Sequence, residues 1–343
     1  MFTLAELQAA AKTVYGSIPP TPQIAWPLLS AKAGCEVWVK HENHTPTGAF
    51  KVRGGLVYVD RLIRERPRIH GLISATRGNH GQSLPFAARR HAHLDVTIVV
   101  PEGNSGEKNA AMEAFGAKLI HHGRDFVAAV DEARRIAEAT GAELVQVFHR
   151  DLVTGVATYA QELFTAVADL DAVYVPIGGG SGICGLIRTR DLLGLKTKIV
   201  GVVSEHADAY AVSFETGVLT ETDAALTFAD GMAVRRPVPE ALEIIRAGAD
   251  HVVRVSDDEV AEAIRTLYES THNLAEGAGA APFAAIMQER ASLKGKRVAM
   301  VLSGQNIDRR VMVDILRGST PRVDASGHVV TTALPMESCG ATP

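Results

Sequence analysis

Cysteine is scarce: the 343 residues contain three, Cys35, Cys184 and Cys339. They are too few and too far apart for a disulfide framework, which fits a reducing compartment, and each reads as a small tolerated thiol. Aromatic side chains make up only 5% of the chain, and net charge is nearly absent, with 35 basic against 39 acidic residues and a formal charge of -4. That balance removes the bulk electrostatic case for nucleic acid or an anionic membrane and leaves a small molecule as the expected partner. The thirteen histidines are scattered and lack the Cys/His spacing of a zinc module. No apolar run approaches membrane-spanning length. The opening MFTLAELQAAAK has acidic and polar residues where a secretion signal places a basic region and an apolar core, so a soluble, cytoplasmic protein is expected.

Apolar residues, in contrast, are plentiful at 46%, enough for a large core, and this length usually resolves into two domains. Short β-branched runs at residues 37–39, 71–75, 96–100, 172–175, 199–203 and 298–302 alternate with amphipathic patterns at 106–115, 126–139, 159–168, 257–269 and 280–292. Alternation of this kind predicts an α/β fold with parallel sheet. Most of the strands run into polar or glycine-containing turns, at 74–81, 101–105, 176–182 and 303–306. Ligands in open α/β sheets collect beyond the carboxyl ends of strands, so these turns are where chemistry is sought. After about Arg317 the chain loses periodicity and is rich in Ser, Thr, Pro and Gly, an irregular extension.

Four segments carry candidate chemistry. In HENHTPTGAFKVRGG, Lys51 follows Thr47 and Gly48, where a turn should open into a helix. A lysine held there with its amine in a cleft is desolvated, which lowers its pKa and suits Schiff-base chemistry. A single helix-start lysine is nevertheless far more often solvated. In VPIGGGSGICG, Gly178, Gly179, Gly180, Ser181 and Gly182 join a strand to a helix, so backbone N–H groups can close around a phosphate at a helix start. The run is neither GxGxxG nor a P-loop, and a ligand-free glycine turn is its plain alternative. SATRGNHGQS offers N–H groups, hydroxyls and the Asn79 amide for a carboxylate or a cofactor oxygen, while VLSGQN places Ser303 at a strand end. Either is equally readable as an ordinary polar turn.

The combination is more specific than its parts. In order along the chain, GAFKVRG (48–54), GNHGQ (78–82), PIGGGSG (176–182), ADGMAV (229–234), EGAGA (276–280) and LSGQNID (302–308) resemble the serine/threonine dehydratase group of fold-type-II pyridoxal 5'-phosphate (PLP) enzymes, which includes serine racemase. The resemblance implies two open twisted α/β sheets with PLP in the cleft between them. It implies a large PLP-binding domain of residues 1–53 and 153–320, a small domain of 54–152 and a C-terminal extension of 321–343. Lys51 would carry PLP as a Schiff base with Phe50 beside the ring. Asn79 would contact the ring oxygen, Gly178, Gly179, Gly180, Ser181 and Gly182 the phosphate, Ser303 the ring nitrogen, and Glu276 would lie near the ring. The substrate carboxylate would fall to Thr76, Arg77, Gly78 and His80. The implied activity is elimination of water and then ammonia from a β-hydroxy amino acid, such as serine, threonine, 3-hydroxyaspartate or phenylserine, by a homodimer. Racemisation or β-replacement is the alternative within the group, and a non-catalytic phosphate- or nucleotide-binding protein the alternative outside it.

Three positions depart from the group's pattern. Arg77 stands where racemases of the group place a serine that acts on the opposite face of Cα. Racemisation is disfavoured accordingly, and the arginine either binds a distal substrate carboxylate, or points to solvent or pairs with one of the protein's own acids. Phe148, His149 and Arg150 replace an acidic stretch, which is expected to alter the substrate-side wall, adding charge or making room for an aromatic substituent. Ser204 replaces a metal-binding glutamate, with Glu205 and Asp208 in a different register, so no metal ligand is assigned and dependence on a divalent cation stays open.

Overall fold

The computed structural model describes residues 1–124, 126–325 and 327–331. In chain order the strands are β1 (Gln23–Ala25), β2 (Glu36–His41), β3 (Gly71–Ala75), β4 (Asp95–Val100), β5 (Lys118–His121), β6 (Glu143–Leu144), β7 (Ala172–Pro176), β8 (Lys198–Ser204), β9 (His251–Val255), β10 (Arg297–Leu302), β11 (Arg322–Val323) and β12 (Val329–Val330). Six of them form one sheet in the order β1-β2-β10-β7-β8-β9, parallel except for β1, which pairs antiparallel with β2. A second sheet, β5-β4-β3-β6, is wholly parallel, and β11 and β12 make a small antiparallel hairpin. No helix among the described residues is long and apolar enough to cross a membrane.

Parallel strands covered by helices on both faces must be apolar on both faces. Accordingly Val298, Met300 and Leu302 of β10 enter one core cluster and Ala299 and Val301 the other, with Tyr174 and Val173 of β7 dividing in the same way. Burying each such Val or Leu contributes about 1.5–3 kcal/mol. Leu72 and Ile73 of β3 likewise enter separate clusters on the two sides of the second sheet.

The six strands expected from the sequence are present. The shorter β1, β5, β6 and β9 were not expected; β5, β6 and β9 are half-exposed edge strands in which Lys, His, Glu or Arg interrupts the apolar pattern. The helix expected over 159–168 runs instead over Arg150–Ala166, because its first half is buried against other helices and does not rely on strong helix formers. The helix expected over 280–292 begins at Gly277, directly after Glu276, despite its glycines and Pro282. Asn79, His80 and Gly81 belong to the first turn of the helix Asn79–Ala88 and not to the preceding turn. The extension is irregular only in part, since it forms the hairpin; residues 332–343, with Cys339, lie outside the described residues.

The chain leaves the six-stranded sheet through the helix Lys51–Glu65 and returns through Arg150–Ala166. These helices touch backbone to backbone: a Cβ on Gly155 would stand 2.3 Å from the Arg53 carbonyl oxygen, and one on Gly54 2.8 Å from that of Leu152. Beside the contact the fully buried Arg53 guanidinium donates to Glu42 (2.7 Å) and Glu162 (2.6 Å) and to Thr158 (3.0 Å). Buried charge is tolerated only when it is satisfied in this way. Gly155→Ala should therefore lower stability by about 2 kcal/mol, the usual cost of overpacking, despite alanine's better helix propensity. Urea unfolding checks this; an unchanged midpoint would show that the two helices can separate without cost.

Candidate active site

The turn before Lys51 is zipped to the turn after β10. The Phe50 N–H donates to the Ser303 carbonyl (3.0 Å), the Gln305 N–H donates to that of Gly48 (2.9 Å), and Ala49 bridges Gly304. Gly48 adopts φ +66°, and a Cβ there would meet Asn306 Oδ1 at 2.6 Å, so both conformation and space require glycine. Held in this way, Lys51 opens its helix with Nζ 3.1 Å from Ser181 Oγ and 5.0 Å from the centre of the Phe50 ring. Burial pushes its amine down to about 8, against the opposing pull of the Glu276 carboxylate.

Ser181 begins the helix Ser181–Leu192, whose cap residue Gly180 sits at φ +90° and supplies no side-chain cap. The N–H groups of this helix start thus keep their capacity for an anion beside the Lys51 amine. A Cβ on Gly178 would fall 2.2 Å from the Gly231 carbonyl oxygen, which brings the 229–234 segment against the glycine turn. Val147 lies on the other side, its Cγ2 3.6 Å from a Cβ built on Gly179.

A second uncapped helix start is that of Asn79–Ala88. Its approach is shaped by the Thr76 hydroxyl, which accepts the Gly78 N–H (3.2 Å). Asn79 Nδ2 donates to both Glu276 oxygens (2.8 and 3.1 Å), and Asn79 Oδ1 accepts from Asn306 Nδ2 (2.7 Å), which also donates to the Thr47 carbonyl (2.8 Å). His80 is buried with Nε2 unpartnered among the described residues, and burial together with Lys51 pushes its pKa down to about 3, a neutral imidazole. Burial pushes the Glu276 carboxyl up to about 7, opposed by the Lys108 ammonium. Ser303 is buried at the carboxyl end of β10.

Next to this network lies a cavity of about 530 Å³ whose lining includes Arg77, Lys108, Asp230, Glu276, Asn306 and His328. Arg77 is half-buried; its Nη1 donates to the Gly327 carbonyl of the hairpin (3.3 Å), its Nε is buried without a partner, and no carboxylate pairs with it among the described residues. Among the described residues the guanidinium meets none of the chain's own acids. Sequence reasoning missed Lys108, Asp230, Asn306 and the hairpin. Asp230 and Asn306 lay inside quoted motifs, but Lys108 sits in an ordinary amphipathic helix with no local signal.

One expectation needs correction. Phe148, His149 and Arg150 do not line this cavity: Phe148 packs into a core cluster, His149 accepts the Asp151 N–H at a helix start, and Arg150 bonds to the Met1 carbonyl and to Glu6. Three consecutive residues at a helix start point in different directions, so they do not act as one wall. Ser204 is buried, its hydroxyl accepting the His206 N–H (3.2 Å), while the Asp208 carboxylate is committed to Arg254 (2.8 Å).

Two open sheets around a desolvated lysine, with a glycine turn at a helix start, are the arrangement of fold-type-II PLP enzymes. Residues 14–304 match the family model described as pyridoxal-phosphate dependent enzyme, and the chain belongs to that family. It is similar to the L-threonine ammonia-lyase of Thermotoga maritima, 34% identical over 309 residues that cover 90% of this chain and 76% of the relative. It is also similar to the L-threo-3-hydroxyaspartate ammonia-lyase of Saccharomyces cerevisiae, 30% identical over 317 residues, 92% of this chain and 97% of the other. The processed threonine deaminase isoform 2 of Solanum lycopersicum superimposes with a TM-score of 0.85 at 27% identity, covering 92% of this chain and 91% of that one.

The residues present fit the cofactor: an amine of lowered pKa beside an uncapped helix start meets the needs of an aldehyde and a phosphate carried on one small ring. Only the neutral amine attacks an aldehyde, so PLP uptake by the cofactor-free chain should accelerate as pH rises through about 8 and not near the ordinary lysine value of 10.5. Stopped-flow absorbance of the visible band measures this. Because Glu276 raises the Lys51 pKa, Glu276→Gln should move the midpoint lower; a wild-type midpoint near that of free lysine would mean that the amine is solvated.

Proposed function

We propose that the chain is a deaminating dehydratase that converts a β-hydroxy amino acid to a 2-oxo acid and ammonia. The observation that carries this is the Lys51 amine, 3.1 Å from Ser181 Oγ with its pKa pushed down to about 8. PLP bound there supplies an electron-withdrawing ring that acidifies Cα–H and loosens the β-substituent of an attached amino acid. Lys51 is the group that takes the Cα proton, and near neutral pH it can accept and return one. The Ser181 hydroxyl holds the amine in place. Gly178, Gly179, Gly180, Ser181 and Gly182 hold the phosphate through backbone N–H groups, and Phe50, Asn79, Glu276 and Ser303 hold the ring. A serine partner leaves the ring nitrogen largely unprotonated, which favours prompt elimination over a long-lived carbanion. Thr76, Gly78 and His80 receive the substrate carboxylate at the second helix start. Residues 1–53 and 153–320 form the cofactor-binding domain, and 54–152 the small domain.

Racemisation needs a second proton acceptor on the other face of Cα. Arg77 stands where the resemblance puts that group, and a guanidinium does not accept protons at working pH. Among the described residues its half-buried charge has no carboxylate, an expensive state that a distal substrate carboxylate would relieve. A 3-hydroxyaspartate-like substrate is therefore proposed over threonine, and one of the relatives bears that activity in its name.

Ammonia and 2-oxo acid release from L-serine, L-threonine, L-threo-3-hydroxyaspartate and L-threo-phenylserine tests the proposal. Lys51→Ala should abolish all release. Arg77→Ala should lower the kcat/KM ratio of L-threo-3-hydroxyaspartate to L-threonine by about 10- to 100-fold, the worth of a charge-assisted hydrogen bond. An unchanged ratio would show that Arg77 does not read the β-substituent, and no release from any substrate by PLP-loaded protein would sink the dehydratase function.

A further inference from the structure

The rim of the cleft carries charges that none of the motifs assigned to cofactor or substrate uses. Ser105, Glu107 and Lys108 open the helix Gly106–Ala114, which follows β4 of the four-stranded sheet, and all three reach residues on the six-stranded side. Ser105 Oγ donates to Asp308 (2.5 Å), and the Glu107 carboxylate accepts the Arg309 N–H (3.1 and 3.2 Å). The Lys108 ammonium pairs with Asp230. On its way there the Lys108 stem crosses the start of the helix that bears Asn79, for a Cβ on Gly78 would stand 3.0 Å from Lys108 Cδ. Asp230 precedes Gly231, whose carbonyl closes on Gly178. One ion pair thus spans the carboxylate loop, the neighbour of the glycine turn and the surroundings of Glu276.

We propose that Lys108 is a positioning residue of this site: paired with Asp230 across the gap between the two sheets, it seats the Gly106–Ala114 helix on the rim of the cleft and sets the electrostatic balance at Glu276. The Lys108 side chain is only 11% exposed and that of Asp230 29%, so solvent screens the pair weakly. The charged groups facing Glu276 are Lys108 and Asp230 from the rim and Lys51 from its own helix; Asp308 faces Lys108. Burial opposes the charge on Lys108, but the carboxylates of Asp230, Glu276 and Asp308 outweigh it and hold its pKa above the ordinary lysine value. Lys108 lowers the Glu276 pKa and Asp230 raises it. The ionised Glu276 accepts both contacts from Asn79, so its charge state and the seating of Asn79 change together.

Because the two partners act on Glu276 with opposite signs, their variants separate an electrostatic role from a merely structural one. In the PLP-loaded enzyme, Lys108→Met should move the acid limb of the kcat/KM profile upward by about one pH unit and Asp230→Asn should move it downward. Amide hydrogen exchange over 106–114 should rise in both, and Lys108→Arg should keep the wild-type profile. Limbs that move in the same direction, or not at all, would overturn the proposal. If Lys108→Met does not fold, Asp230→Asn decides by itself, because an unmoved limb there is enough to refute the role. The profile rests on the dehydratase function, so the pH dependence of PLP affinity, followed by fluorescence titration, is measured alongside. Opposed shifts in affinity without any ammonia release would uphold the positioning role while the dehydratase function failed.

Discussion

Everything at the site depends on the buried carboxyl of Glu276. It accepts both contacts from Asn79, Asn79 accepts from Asn306, and Asn306 donates to the Thr47 carbonyl. Four segments distant in sequence are therefore joined by one amide–carboxylate chain: the turn before Lys51, the start of the Asn79–Ala88 helix, the start of the Gly277–Glu289 helix and the turn after β10. A buried polar network of this kind is stable only when every member is satisfied, which is why it rigidifies what it connects. The direction of Lys51 follows from it, since the 47–50 turn is fixed on the same strand-end segment.

The second constraint is close backbone approach. Where the chain passes between the sheets, Gly54 and Gly155 let two helices meet without side chains between them, and the Arg53 cluster anchors the crossing with charge that is fully hydrogen-bonded. Gly48, Gly178 and Gly231 likewise allow close approaches in which no side chain would fit. The helix starts at Asn79 and Ser181 lack side-chain caps. Thr3, Ser105 and Ser256 cap their helices with side chains, whereas the starts after Trp26, Phe50, Asp208, Val238, Glu276 and Asp308 are uncapped as well. A capped start spends N–H groups internally, and an uncapped one leaves them to other acceptors.

Desolvation then separates the titrating groups. Lys51 is pushed down to about 8, His80 down to about 3 and Glu276 up to about 7, and the Lys51 charge acts on His80 as the Glu276 carboxylate acts on Lys51. Arrangements of this sort are characteristic of catalytic sites, where acids and bases must lie near working pH. The hairpin of β11 and β12, beyond the region matched by the family model, adds a wall to the cavity and gives Arg77 a backbone acceptor, the Gly327 carbonyl.

The alternation of apolar strands and amphipathic helices, the glycine run after β7 and the six ordered motifs were legible in the chain itself, because strand and helix periodicity and turn chemistry are local properties. They determined the α/β class, the family and the cofactor. Edge strands, the early start of the Arg150–Ala166 helix and the direction of Phe148, His149 and Arg150 were not legible, since burial by distant elements overrode local preference. Only the tertiary structure brought Lys108 to Asp230 and laid the hairpin beside Arg77. Those contacts join residues more than 100 positions apart, 122 and 250 respectively, and charge pairing over such separations leaves no periodic trace in a single sequence.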